Sequence, residues 1–330
     1  MGEPPHPDPF RGDSIEIAGP WQHRHVAANG ARFHVAHAGP VAGRLILLLH
    51  GFPEFWWTWR DLIPVLAEHG WWVAAMDLRG YGGSDRTPRG YDPMTLAQDV
   101  SGVVKALGAR DAVLVGHGWG GYVAWAAAAR HPEQVSALCT VSAPHPLALV
   151  KAARTDPVTP AAGHLLAMQL PMLPERRLAR GTTGYLGRHL EAWSAPASGF
   201  PSPEEVATYQ AAMARWPSSH CALEYHRWLL RSRLRADGRR FTASMRRPVE
   251  QPVCCVRGEQ ERILPRRAHE QTRAHVANGL RLLSVPGTGH FPHEEDPVGF
   301  SRLLLDWLDT LDTAPRGHSL PRHAEEPGRQ

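Results

Sequence analysis

Long apolar runs are missing from this chain. Nothing in it approaches the roughly 18 consecutive apolar residues that span a bilayer, so no membrane span is expected. Its opening, "MGEPPHPDPFRGDS", has neither the basic segment nor the hydrophobic segment of a secretory signal, and His6 stands where a myristoylation signal carries Ser or Thr. A cytoplasmic protein is the expectation. Dense basic runs are also absent: the formal charge of +4 comes mostly from scattered arginines, without the clustering that tracks a phosphate backbone, so nucleic acid is not an expected partner. Cysteine is scarce, at 4 residues. Cys254 and Cys255 are neighbours on one predicted strand and point to opposite faces, so they cannot readily pair. With Cys139 on another apolar strand, they read as buried thiols, with neither a disulfide framework nor a metal site. There is no internal repeat.

What is present is an alternation of strand and helix signals in 330 residues. "HRHVAANGARFHVAHAG" alternates around Asn29 and Gly30, the dipeptide of a type I′ hairpin turn. "RLILLLHG" is a strand apolar on both faces, followed by a helix through "WRDLIPVLAEHG", a strand "WWVAAMDL", and a helix opened by Thr95 with Gln98 in capping-box spacing. Next come "DAVLVGH", a small-residue helix, and "VSALCTVSAP". This rhythm implies an α/β fold with a mostly parallel sheet flanked by helices. It breaks at Pro146, where helical stretches such as "HLLAMQLPML", "SPEEVATYQAAMARW" and "CALEYHRWLLRSRL" take over, and resumes with "PVCCVRG". In the second of these, Ser202, Pro203 and Glu205 supply an N-cap, a first-turn proline and a capping-box acid. The expected organisation is a flexible extension over 1–20, an α/β core over 21–145 and 249–313, a helical cap over 146–248 inserted after the sixth strand, and a flexible tail over 314–330.

The segments "HGFPEFWWTWR" (His50 to Arg60), "DLRGYGGSDRTP" (Asp77 to Pro88), "GHGWGG" (Gly116 to Gly121), "GEQERILP" (Gly258 to Pro265) and "GTGHFPHEEDP" (Gly287 to Pro297) occur in that order. Together they resemble the landmarks of the α/β-hydrolase fold, most closely its epoxide hydrolase and haloalkane dehalogenase branch, over roughly residues 25 to 312. The resemblance implies a nucleophile elbow at Gly118, a general base at His290, a partner carboxylate at Glu261 with Glu259 as rival, and an oxyanion hole from the backbone N–H groups of Phe52 and Trp119. Backbone donors of this kind are each worth roughly 3 kcal/mol in a transition state.

At the elbow this chain departs from the pattern. Where the branch carries Asp and esterases carry Ser it has Gly118, so no covalent intermediate can form there. His117 faces the other way along the strand. The cap departs too: epoxide hydrolases use two cap tyrosines, whereas here His226 stands directly before Arg227 and Tyr225 comes one residue early, about 100° around a helix. Tyr225, His226 and Trp56 are candidate pocket residues, with Trp57 beside them. The expected partner is a small hydrophobic molecule, with no cofactor and no metal; a homodimer is left open. Two functions compete. One is an epoxide hydrolase-like enzyme without a nucleophile, run by His290 and Glu261, with direct hydrolysis, elimination, isomerisation and cofactor-free oxygenation all compatible; the other is a catalytically silent ligand-binding protein. A dinucleotide fold, suggested by the glycines of "GHGWGG", fails because the third glycine is misplaced and Trp119 fills the turn.

Overall fold

The computed structural model describes residues 15–155, 160–181 and 184–312. Eight strands form one sheet in the order β1-β2-β4-β3-β5-β6-β7-β8. The first two, β1 (Gln22–Ala28) and β2 (Ala31–Ala38), make the expected hairpin, and its turn residues Asn29 and Gly30 both have positive φ, as a type I′ turn requires. From β3 (Leu45–Leu49) and β4 (Trp72–Met76) the sheet runs parallel through β5 (Ala112–His117), β6 (Val135–Val141), β7 (Val253–Gly258) and β8 (Leu280–Val285). Every residue of β3, β4 and β5 is buried. Helices therefore cover both faces, as uninterrupted apolar strands demand: α1 (Leu62–Glu68), α2 (Pro93–Leu107), α3 (Gly118–Arg130), α11 (Arg266–Gln271) and α12 (Pro297–Asp312).

The chain leaves β3 for β4 on one side, then returns to β5 on the other. That reversal opens a crevice at the carboxyl ends of β3 and β5, the place where open α/β sheets bind ligands. Helix α3 packs unusually close beneath it. A Cβ on Gly120 would stand 2.1 Å from the Leu49 carbonyl oxygen, so glycine is required there and draws the helix against β3.

Between β6 and β7 lie α4 (Pro146–Thr155), α5 (Pro160–Ala167), α6 (Leu173–Ala179), α7 (Tyr185–Trp193), α8 (Pro203–Ala214), α9 (Ser218–Arg231) and α10 (Ala236–Ser244). The capping box at Ser202 and Glu205 forms at the start of α8. This insertion is tied to the core by Arg60, which donates to Glu294 at 2.8 Å and to Glu205 of α8 at 2.6 Å, while Tyr209 of α8 also bonds Glu294. Burial holds the Glu294 carboxyl up at about 7 against the pull of Arg60. Among the described residues, no helix is long and apolar enough to cross a membrane.

Three expectations need correction. Helix α2 begins at Pro93 and is capped by Asp92, whose carboxylate accepts from the Met94 and Thr95 amides; a proline at the first helical position outcompetes the later Thr95 start. The helical stretch "HLLAMQLPML" is broken, since α5 stops at Ala167 and α6 starts at Leu173. Of the flexible 1–20 extension, Ile15 is buried and its carbonyl takes the Trp56 indole N–H at 2.8 Å, while the Ile17 carbonyl accepts from Trp21. The remainder of that extension, residues 1–14, and the 314–330 tail lie outside the described residues.

Candidate active site

The floor of the crevice is built from loops at the carboxyl ends of the strands. Gly118 is the first residue of α3, directly after β5, with φ at +50°. That left-handed backbone costs an L side chain roughly 1–2 kcal/mol, and glycine escapes it. His290 follows β8. Its Nδ1 lies 2.6 Å from Glu261 Oε2, and Glu261, in the loop after β7, also accepts from the amides of Ile263 (2.7 Å) and Leu264 (3.3 Å). Burial pushes the Glu261 carboxyl up, but the His290 imidazole and the Ile263 N–H outweigh it and bring it down to about 2. An ionised Glu261 only accepts, so the proton sits on His290 Nδ1 and the lone pair is on Nε2. That Nε2 lies 4.0 Å from the point where a Cβ on Gly118 would stand. Glu259 is exposed and accepts from Gly287, so of the two rival acids Glu261 is the one joined to His290.

The His290 loop is braced on both sides. Glu295 accepts from the Gly289 amide (2.8 Å), the Phe291 amide (2.9 Å) and the Ala195 amide of the insertion (2.8 Å), and the His290 amide donates to Trp193 at 2.9 Å. His117 turns away from the crevice, as its strand position predicts. Its Nδ1 meets Glu54 at 2.8 Å and its Nε2 meets the His290 carbonyl at 3.0 Å. Burial lowers the His117 pKa, and the Glu54 carboxylate reverses that into a net rise. Glu54, His117 and His293 each bring one ligand-type atom within 4.8 Å of the others. Those atoms are already spent on one another and on Gly51, Thr58 and the His290 carbonyl.

The roof consists of imidazoles. His164 of α5, His189 of α7 and His226 of α9 all pack against the Phe52 ring, with centroids 4.8–5.6 Å away. His226 Nδ1 meets the Ala222 carbonyl at 3.1 Å, so it carries the proton there, and Nε2 accepts the Trp119 indole N–H at 3.0 Å. His164 Nε2 lies 3.2 Å from the same atom. Burial takes His226 down to about 4 and His189 down to about 3, so both are neutral near pH 7. The His189 Nε2 has no hydrogen-bond partner among the described residues.

Phe52, Gly118, Trp119, His164, His226 and His290 share the lining of one cavity of about 890 Å³, at the large end of small-molecule pockets. Three predicted pocket residues do not reach it. Trp56 is fully buried beside Trp21 and His23, with its indole committed to Ile15, and Trp57 stacks under Arg60. Tyr225 is absent from the cavity lining: it is buried against Tyr81 and donates to the Arg79 carbonyl at 2.8 Å. The one-residue offset on the helix therefore decides the matter in favour of His226. Sequence reasoning missed Glu54, Glu295, His164 and His189. Glu295 had a signal, lying four residues after Phe291 in an acidic cluster; the two histidines had none.

Residues 44–297 match the family described as alpha/beta hydrolase fold. The chain is 32% identical over 290 residues to an AB hydrolase superfamily protein, YfhM, of Bacillus subtilis, covering 86% of this chain and 96% of that one. It is 30% identical over 290 residues to Epoxide hydrolase 3 of Xenopus tropicalis, covering 85% and 75% respectively. Among solved structures, an epoxide hydrolase from an endophytic Streptomyces superposes with a TM-score of 0.76 at 26% identity, covering 90% of this chain and 98% of that one.

Proposed function

We propose, from the premise that this chain belongs to the alpha/beta hydrolase fold family and is similar to epoxide hydrolases, that it is a hydrolase working without a side-chain nucleophile on a small hydrophobic substrate. Gly118 is read as the nucleophile position. His290 Nε2 takes a proton from a water lodged over Gly118. The hydroxide oxygen bonds the electrophilic carbon of the substrate, that carbon's bond to its leaving oxygen breaks, and the oxygen receives the proton back from His290. Glu261 holds the tautomer and stabilises the imidazolium. The amides of Phe52 and Trp119 steady the developing oxyanion; Trp119, second in its helix, carries an N–H with no intrahelical acceptor. Helices α4–α10 act as the lid that excludes bulk water. The observation carrying this reading is the aim of His290 Nε2 at Gly118 with its other nitrogen fixed 2.6 Å from Glu261.

A second reading is ligand binding without turnover. The roof favours it: His226 presents a lone pair that is already occupied by Trp119 and offers no acidic proton to a leaving oxygen. A panel of epoxides, esters and lactones run on the parent, His290→Ala and Gly118→Asp separates the two. Turnover by the parent that falls at least about a hundredfold in His290→Ala is the result expected for general-base catalysis. Turnover confined to Gly118→Asp would establish the binding reading instead.

A further inference from the structure

The cavity changes character along its length. Its buried lining includes Phe52, His226 and His290, and its walls are largely apolar, with Leu147, Leu165 and Phe241 among them. Toward solvent the lining acquires four arginines, Arg154 of α4, Arg233, Arg239 of α10 and Arg246, and no carboxylate. All four are exposed. Several arginines outside the cavity find acids: Arg60 pairs with Glu294, Arg79 with Asp99, Arg227 with Glu175, and the exposed Arg247 and Arg266 with Glu250 and Glu270. Around this mouth, none of the four has a carboxylate partner among the described residues, and Arg239 bonds only the Leu234 carbonyl. A one-sign rim on an apolar shaft focuses its field on the opening. It selects a ligand with an acidic head and an apolar body.

We propose that Arg154, Arg233, Arg239 and Arg246 form a head-group subsite, so that the molecule entering this cavity is an amphipathic anion whose acidic group stays at the mouth while its apolar body reaches Phe52 and Gly118. The inference rests on the cavity being the substrate site, and a guanidinium fork suits a carboxylate or sulfonate head. Recognition is then divided: charge sets orientation at the rim, and the reacting group is the part of the molecule remote from the charge.

The test measures binding by calorimetry with dodecanoate, dodecanol and dodecylammonium below their aggregation thresholds. The protein is the full chain, as parent, as Arg233→Ala/Arg239→Ala/Arg246→Ala, and as His290→Ala. Dodecanoate is expected to bind the parent about tenfold more tightly than dodecanol, given three or four partly solvated ion pairs, and dodecylammonium the most weakly. The triple variant, changed only at exposed positions, loses that preference and keeps the dodecanol affinity; added salt has the same effect. Equal affinity of the parent for acid and alcohol overturns the proposal, as does a preference that survives in the triple variant. Adsorption to phosphatidylglycerol vesicles without binding of dodecanoate monomers also overturns it, since the rim would then read a membrane surface. His290→Ala retains dodecanoate binding, so failure of the catalytic reading is told apart from failure of the subsite.

Discussion

The floor and the roof of one cavity achieve order by different physics. On the floor, the His290 loop is held by the carboxylates of Glu261 and Glu295 and by His117 of the Glu54–His117 pair, and these groups sit on loops fixed by a buried parallel sheet. On the roof, three imidazoles lean on Phe52, and the contact between His164 and His226 depends on which nitrogen of a neutral ring carries the proton. Ionised acceptors fix tautomers strongly, whereas neutral rings exchange roles at little cost. The floor is built to keep one chemistry, and the roof is the part free to vary with the ligand.

The largest effect that would break this contrast is on turnover. Glu261→Gln is expected to lower kcat by about 10³- to 10⁴-fold, because a neutral amide no longer enforces the Nδ1–H tautomer. His226→Asn is expected to change it less than about tenfold, since His226 neither donates to the substrate nor carries charge at pH 7. Comparable losses in steady-state assays of the two variants would erase the distinction between floor and roof.

Next in size is stability. Glu295→Ala strips one acceptor from three buried or partly buried amides, Gly289, Phe291 and Ala195. It should cost about 3 kcal/mol or more, at about 1–3 kcal/mol for each donor left unsatisfied. Urea unfolding of parent and variant measures it. A shift under about 1 kcal/mol would mean that solvent replaces the carboxylate and that the loop is not clamped.

How far the sequence could be read follows the same division. The hairpin and the alternation of strands with helices were legible because buried strands and glycine-marked turns are local signals, and the contact between His290 and Glu261 was anticipated only through the resemblance carried by the motifs. Trp56 misled because a short helical turn after Phe55 sends adjacent aromatics in different directions, which composition does not reveal. His164 and His189 were invisible because they meet only when α5, α7 and α9 pack together, and nothing within a single helix marks a residue whose neighbours lie on other helices. Ile15, placed in the flexible extension, is buried and its carbonyl takes an indole N–H 41 residues away, a contact that nothing local in the sequence marks.

Acid titration sharpens the comparison further. Burial depresses His189 from 6.5 to about 3, so between those values an unfolded chain takes up a proton that the folded chain refuses. Stability is full above about pH 6.5 and is lost as the pH falls. Glu261 is depressed from 4.5 to about 2, so its contribution is present above about pH 4.5 and disappears only below it. The contribution of His189 is thus lost in a higher pH window than that of Glu261. At pH 5, His189→Phe is expected to gain about 2 kcal/mol on the parent relative to their difference at pH 8, from one and a half pH intervals of withheld protonation. A difference that does not change with pH would show that His189 takes up its proton in the folded state.

The smallest effect isolates the elbow itself. A Cβ on Gly118 meets nothing closer than Gly51 Cα at 3.7 Å, so Gly118→Ala carries only the cost of φ at +50°, about 1 kcal/mol. Gly120→Ala is the contrasting control, since its Cβ would collide with backbone at 2.1 Å and force α3 away from β3. Thermal melts should place Gly118→Ala slightly below the parent and Gly120→Ala far below both. Gly118→Asp bears the same backbone cost as Gly118→Ala and sets a carboxylate before the Nε2 lone pair of His290, and so should also melt below the parent. Were Gly118→Asp to melt above the parent, the electrostatics of the floor would exceed the strain of the turn, and glycine at this position would be explained by the chemistry over it instead of by its backbone.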